Sequence, residues 1–278
     1  MAFAGVPVRD ALDSAVVAIG AAGSETPRLD AELLLAHAMG IDRAALVMDP
    51  GRPVEGSAVR AFRELVRRRS AGREPVAYLL GRKGFRHLEL KIDGRVLIPR
   101  PETETLVETA LDLPQRAAVL DVGTGSGAVA LALKDERPDL AVTGTDVSEG
   151  ALQVARANAA RLGLDVAFVR ADLLEGAPAA DAIVANPPYV ADGDRASLAP
   201  EIVCHEPDVA LFAGPEGLDV VRRLVGQAGA SPARFLALEV AERQAEAVGE
   251  LIAASGFTDV STRRDLAGIE RVVVGRRC

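Results

Sequence analysis

The chain has 278 residues, 40 Asp and Glu against 32 Lys and Arg, a net charge of −8 and 49% hydrophobic residues, enough for one large core or two modest ones, which excludes disorder and a collagen-like fibre. No apolar run approaches the roughly 20 residues that span a membrane, Arg9 and Asp10 open a mixed segment rather than a signal peptide, and the expected location is the cytoplasm. The acidic balance argues against a protein that coats DNA by bulk charge, and with only Cys204, Cys278, His37, His87 and His205 neither a disulfide framework nor a bound metal is expected.

Residues 1–75 carry ten Arg and ten acidic residues, so the whole net charge falls in residues 76–278. Apolar residues recur at helical spacing from Asp30 to Met39 and stop at Gly40, and residues 57–70 repeat the pattern. Residues 1–75 are therefore expected to form a small helical bundle. In its second helix Val59, Phe62 and Val66 make an apolar stripe flanked by Arg60, Arg63 and Arg67, with Arg68, Arg69 and Arg73 following. A solvated face is the ordinary use of such a run; an acidic or RNA-bearing partner is the alternative.

Residues 85–98 alternate apolar and polar around Asp93-Gly94, a dipeptide suited to a tight turn, and predict a β-hairpin in a linker of residues 76–104. From 105 to 278 short apolar runs at Ala118–Val122, Ala141–Thr145, Val166–Val169, Ala182–Ala185, Phe235–Val240 and Val272–Val274 alternate with helical segments, the pattern of an α/β fold with a mostly parallel sheet.

Two motifs follow strands of that sheet. Asp121-Val-Gly-Thr-Gly-Ser-Gly127 passes from strand to helix with Gly123, Gly125 and Gly127 at the turn, where bare backbone and the free N–H groups of a helix start accept a ligand. Asp146, ending the next strand, is placed for a ribose diol. The turn also fits a dinucleotide fingerprint, but Asp121 would repel a pyrophosphate and attract the positive charges of S-adenosylmethionine, so the methyl donor is favoured over NAD. Asp172 and Leu173, after the third strand, are placed for the adenine edge and face.

Asn186-Pro-Pro-Tyr189 ends the fourth strand. Neither proline has an N–H, and Asn186 is pushed toward extended backbone by the proline after it. The Asn186 side-chain oxygen and the Pro187 carbonyl can each accept one hydrogen of a planar NH2, aiming its nitrogen at a methyl donor. Tyr189 can stack on the planar group. Alignment and electrostatic placement would supply the rate without a strong base.

These two motifs resemble the class I, Rossmann-like S-adenosylmethionine-dependent methyltransferases. Ile98-Pro-Arg-Pro-Glu-Thr-Glu104, Leu29-Asp-Ala-Glu-Leu-Leu-Leu35 and Glu270-Arg-Val-Val-Val-Gly275 narrow the resemblance to the release factor glutamine methyltransferases (HemK/PrmC). It implies a mostly parallel seven-stranded sheet, a helical front domain joined by a hairpin, and methylation of the glutamine side-chain amide in the Gly-Gly-Gln motif of class 1 peptide chain release factors, with S-adenosyl-L-homocysteine as by-product. By position, Asp121, Gly123, Thr124, Gly125, Ser126, Gly127, Asp146, Asp172, Leu173 and Asn186 would contact the cofactor. Asn186, Pro187, Pro188 and Tyr189 would hold the glutamine, with Asn186, Pro187 and Tyr189 carrying the catalytic step. No membrane and no nucleic-acid substrate is expected.

The stretch from Val190 to Gly217 is too long for an ordinary connection and is read as a lid or recognition element. Two other functions compete: a DNA adenine-amine methyltransferase, since the same tetrapeptide serves a flipped base but would need a basic recognition segment, and a silent binding module for translation factors.

Overall fold

The computed structural model describes residues 5–277. In chain order its elements are β1 (Val6–Pro7), α1 (Val8–Ala21), α2 (Pro27–Met39), α3 (Arg43–Met48), β2 (Pro53–Val54), α4 (Gly56–Ala71), α5 (Val76–Leu80), β3 (Arg82–Phe85), β4 (Leu88–Lys91), α6 (Glu104–Ala110), β5 (Ala118–Val122), α7 (Ala128–Glu136), β6 (Ala141–Asp146), α8 (Glu149–Leu162), β7 (Ala167–Arg170), β8 (Ala182–Ala185), α9 (Pro200–His205), α10 (Asp219–Ala230), β9 (Phe235–Glu239), α11 (Ala245–Ala254), β10 (Asp259–Arg264) and β11 (Glu270–Arg276). The chain divides into two units: residues up to Gly81 with Ala199–His205, and Arg82–Leu198 with the residues from Glu206 onward. No described helix is long and apolar enough to cross a membrane.

The first unit is helical. Pro27 opens α2, where its missing N–H costs nothing, and Gly40 closes it in the left-handed conformation. Leu12 and Ile19 of α1, Leu34 and Leu35 of α2 and Phe62 of α4 meet in one buried cluster. The C-terminal part of the α4 arginine run, with Arg73 after it, is tied up in ion pairs, while Arg60 and Arg63 are exposed. Arg69 is buried against Asp30 and Glu201, Arg73 also pairs with Glu201, and Arg68 and Arg67 pair with Glu74 and Glu64.

The second unit holds a seven-stranded sheet in the order β10-β11-β9-β8-β5-β6-β7. The five strands from β9 to β7 are mutually parallel, and β11 runs antiparallel to both β9 and β10. β8 and β9 are buried along their whole length, as strands covered on both faces must be, and they read as continuous apolar runs. β10 departs from that rule. Its Ser261, Thr262, Arg263 and Arg264 are polar because it is an edge strand, and no apolar run announces it.

The hairpin is displaced from the expected turn. β3 and β4 pair with Phe85 opposite Leu88, so Arg86 and His87 form the connection, and Arg86 takes a left-handed φ of +51°. That conformation is unusual for arginine. It is held by Glu136, which takes both the Nε and Nη2 hydrogens of Arg86, and by Glu108. Asp93-Gly94 instead makes a separate turn after β4, closed by the Val96 N–H on the Asp93 carbonyl at 3.1 Å.

Candidate active site

β5 and β8 are neighbours, and the sheet reverses its order between them, because β6 and β7 extend one way from β5 while β8 and β9 extend the other. Ligands of open α/β sheets enter at the carboxyl ends of strands flanking such a reversal. The glycine turn leaves β5 there and Asn186-Pro-Pro-Tyr189 leaves β8. A cavity of about 320 Å³ opens between them.

Two backbone bonds shape the turn: the Gly123 and Thr124 N–H groups both donate to the Thr145 carbonyl, at 2.9 and 2.8 Å. This double anchor makes Gly123 turn through a φ of +73° and Gly125 through +55°, conformations that strain any residue with a Cβ. Asp146 completes it from β6. Its Oδ2 accepts the Gly125 N–H at 3.0 Å and its Oδ1 accepts the Ser148 N–H at 2.9 Å. Burial raises the Asp146 pKa, against the pull of those N–H donors.

Gly123, Gly125, Asp146, Asp172, Leu173, Asn186 and Pro188 all line the cavity. Asp121 does not. The expectation that it meets a ligand's positive charge is corrected by its position beneath the turn, where it is 2% exposed. Its Oδ2 accepts the Thr124 hydroxyl at 2.6 Å and the Ala130 N–H at 3.1 Å. Burial pushes this carboxyl up to about 7, the Asp146 charge adding to the shift. Thr124 and Ser126 are likewise buried, and Gly127 starts α7; these three form the turn and are not among the lining residues.

Asp172 opens a tight turn with Glu175 in which Leu173 has a φ of +56°. The Asp172 carboxylate receives the Arg223 guanidinium of α10 at 2.8 Å, so Arg223 joins the cavity wall, unannounced by any motif. Arg95 reaches it too, with its guanidinium on Asp93. Pro207, Val209 and Ala210 bring part of the 190–217 stretch to the wall. The ends of that stretch are pinned together where the Val190 N–H donates to the Leu211 carbonyl at 2.9 Å and the Ala213 N–H to the Val190 carbonyl at 3.0 Å.

At the other side of the cavity the Asn186 Nδ2 donates to the Thr103 Oγ1 at 3.1 Å. Pro187 and Tyr189 are not part of the cavity lining. The Tyr189 carbonyl accepts the Gln244 Nε2 at 3.2 Å, and burial, with the Glu239 charge beside it, pushes the Tyr189 hydroxyl up to about 12. Glu239 ends β9 and is 1% exposed. Thr103 and Glu239 are the polar neighbours that sequence reasoning passed over; the Pro-Arg-Pro-Glu-Thr-Glu element was the available signal for the first.

Comparisons with known proteins cover nearly the whole chain. Residues 10–81 match the family model of the PrmC N-terminal domain and residues 101–231 that of the methyltransferase small domain. A release factor glutamine methyltransferase of Deinococcus radiodurans is 43% identical, over 97% of this chain and 98% of the relative. One from Koribacter versatilis is 40% identical with the same coverage. The crystal structure of a methyltransferase from Pyrococcus furiosus shares the fold, with a TM-score of 0.53 at 18% identity over 68% of this chain and 88% of that one. With relatives so similar along nearly their whole length, the chain belongs to the release factor glutamine methyltransferase family.

Proposed function

We propose that this chain transfers a methyl group from S-adenosylmethionine to the side-chain amide nitrogen of the glutamine in the Gly-Gly-Gln motif of class 1 peptide chain release factors, acting in the cytoplasm on translation termination. The observation that carries the reading is the Asn186 amide. Its NH2 is taken by Thr103, which leaves its oxygen as the free acceptor of a residue that lines the cavity.

The cavity fits an adenosyl methyl donor. No Cβ-sized obstacle stands within 4 Å at Gly123, so the backbone is open to close approach. The two guanidiniums in the wall, Arg95 and Arg223, are already paired with carboxylates, so no free cation awaits a pyrophosphate. Asp146 would take the ribose hydroxyls, Asp172 and Leu173 the adenine, and the Gly123 to Gly125 backbone the remainder. When bound, the donor supplies an electrophilic methyl carbon on a sulfonium.

This chain's residues then act on the acceptor. The Asn186 Oδ1 and the Pro187 carbonyl accept the two amide hydrogens of the glutamine, fixing the plane of its NH2 and turning the nitrogen toward the donor. Pro187 and Pro188 have no N–H to compete for those acceptors and hold the bend stiff. Tyr189 packs against the carboxamide and stays protonated at any working pH, its hydroxyl being raised further from ionisation. As the nitrogen lone pair bonds to the methyl carbon, the carbon–sulfur pair passes to the sulfur and one nitrogen-bound proton becomes acidic and is released to solvent, so placement rather than a strong base lowers the barrier.

The test is incubation of the chain with an isotopically labelled methyl donor and a class 1 release factor, followed by peptide mass spectrometry. The expected result is one added methyl on the Gly-Gly-Gln peptide; label on duplex DNA with none on that peptide would replace this reading with the adenine one.

A further inference from the structure

Glu239 is the least expected side chain of the catalytic unit. It is 1% exposed, yet neither carboxylate oxygen has a partner of full hydrogen-bond geometry. A buried carboxylate without partners is costly, and such groups persist where they serve the chemistry nearby. β8 and β9 are parallel with Ala185 opposite Leu238, so Asn186 and Glu239 are the next residues on adjacent strands. Thr103 stands with both: its hydroxyl accepts from Asn186 Nδ2 at 3.1 Å. No hydrogen bond of full geometry joins that hydroxyl to Glu239, but it is the first group to oppose the burial that pushes the Glu239 carboxyl up to about 7.

The chemistry of these three groups is directional. A threonine hydroxyl carries one hydrogen and two lone pairs, while an asparagine side chain has an acceptor and a donor end of nearly the same shape. An ionised carboxylate can only accept, and with its pKa pushed up to about 7 Glu239 holds that state above neutral pH. If Glu239 draws the Thr103 hydrogen, the hydroxyl turns lone pairs toward Asn186, which then settles with Nδ2 on Thr103. Without that constraint the amide can rotate by half a turn, and an NH2 would then face the NH2 of the incoming glutamine, donor against donor.

Resting on the methyl-transfer reading above, we propose that Glu239 and Thr103 are positioning residues that set the Asn186 side chain with its oxygen toward the substrate amide. Neither touches the reacting atoms. Their contribution is a pre-set orientation of a side chain that does, which spares the site a reorganisation during turnover.

The test uses the full chain with a class 1 release factor as substrate. Thr103→Val keeps the shape and removes the hydroxyl, Thr103→Ser restores it, and Glu239→Leu removes the acceptor together with the buried charge. Losing a bond that fixes one transition-state contact costs about 10- to 100-fold in kcat. That loss is expected for Thr103→Val and Glu239→Leu, with KM for the release factor and the calorimetric affinity for the methyl donor within about threefold of the parent, three times being under 1 kcal/mol. Thr103→Ser is expected to recover most of the rate. Adding Thr103→Val to Asn186→Ala should cost nothing more, since the relay acts only through Asn186.

A valine variant with the parental kcat, a serine variant as slow as the valine one, or a double variant showing the full product of the two losses would overturn the relay. If Glu239→Leu fails to fold, the threonine pair and the double-mutant cycle decide alone. A parent chain that transfers no methyl to the release factor would instead refute the reading on which the relay rests, so the two failures are separable.

Discussion

Arg69 and Glu201 lie 132 residues apart and are joined by a hydrogen bond of 2.8 Å between a guanidinium N–H and a carboxylate oxygen. Arg69 also donates from Nε to Asp30 at 2.7 Å, and the other oxygen of Glu201 accepts from Arg73 at 2.6 Å. The short α9 is thereby fastened into the helical unit, and two arginines that read as a docking patch are spent on holding it.

Removing one partner of a buried ion pair leaves the other charge uncompensated, a loss of about 3–5 kcal/mol when burial is complete. Glu201 keeps some exposure, 15% of its side chain, so Glu201→Gln is expected to cost less, on the order of 2 kcal/mol. Burial raises the Glu201 carboxyl, but the Arg73 and Arg69 guanidiniums outweigh it and hold the group down at about 2. A depressed carboxyl stabilises the folded state above its unfolded pKa and loses that contribution as the pH falls toward its folded one. Urea unfolding at pH 7 should separate the variant from the parent, and the gap should close between pH 4.5 and 2; an equal gap at pH 7 and pH 2.5 would assign the loss to packing.

Asn186→Ala removes the acceptor that aligns the substrate nitrogen. The expected loss is one to three orders of magnitude in turnover, about 1.4–4 kcal/mol of barrier. Affinity for the methyl donor, followed by calorimetry, should change little. A variant of near-parental kcat would remove Asn186 from the transfer step.

Asp146→Ala should act on the opposite quantity. With its Oδ2 on Gly125 and its Oδ1 on Ser148, Asp146 both shapes the glycine turn and presents oxygen to the cavity. Loss from the donor site of the equivalent of one charge-assisted bond, about 1.5–3 kcal/mol, predicts a donor Kd weakened by about ten- to a hundredfold or more, with kcat at saturating donor within about an order of magnitude. Asp146→Asn, which can still accept from one N–H, should fall between. Calorimetric titration and saturation kinetics on the two variants check the ordering.

Sequence periodicity identifies the sheet and both motifs because each is local. A strand buried on two faces must be a continuous apolar run, and a turn through left-handed backbone next to a ligand favours glycine. Gly123, Gly125, Asp146, Asp172, Leu173, Asn186 and Pro188 could therefore be placed at strand ends, and they meet at one cavity. What periodicity does not carry is contact between distant segments. Thr103 meets Asn186 across 83 residues, Arg223 meets Asp172 across 51, and Glu201 meets Arg69 across 132. The Arg86-His87 connection is hidden for a related reason: its backbone is stabilised by Glu108 and Glu136 rather than by its own residue type. Asp121 misleads in the other direction, since a carboxylate beside a glycine turn has the same sequence signature whether it faces a ligand or braces the turn from below.

That last distinction is measurable through pH. In the folded chain burial lifts the Asp121 carboxyl to about 7, well above the usual unfolded value of about 4. A raised carboxyl means that the folded state binds the proton more tightly, so folding is favoured at low pH and loses stability as the pH climbs from the unfolded pKa through the folded one. The slope of that loss is on the order of 1 kcal/mol per pH unit between about pH 4 and 7. Asp121→Asn cannot ionise, keeps an oxygen for the Ala130 N–H or the Thr124 hydroxyl, and leaves an amide to be accommodated. It should therefore be the less stable protein at pH 5 and gain on the parent steadily up to pH 8. Denaturant unfolding of the two chains across that range reads the difference directly. A difference that does not change with pH would mean that Asp121 ionises freely, and hence that it faces solvent or a bound cation instead of bracing the turn.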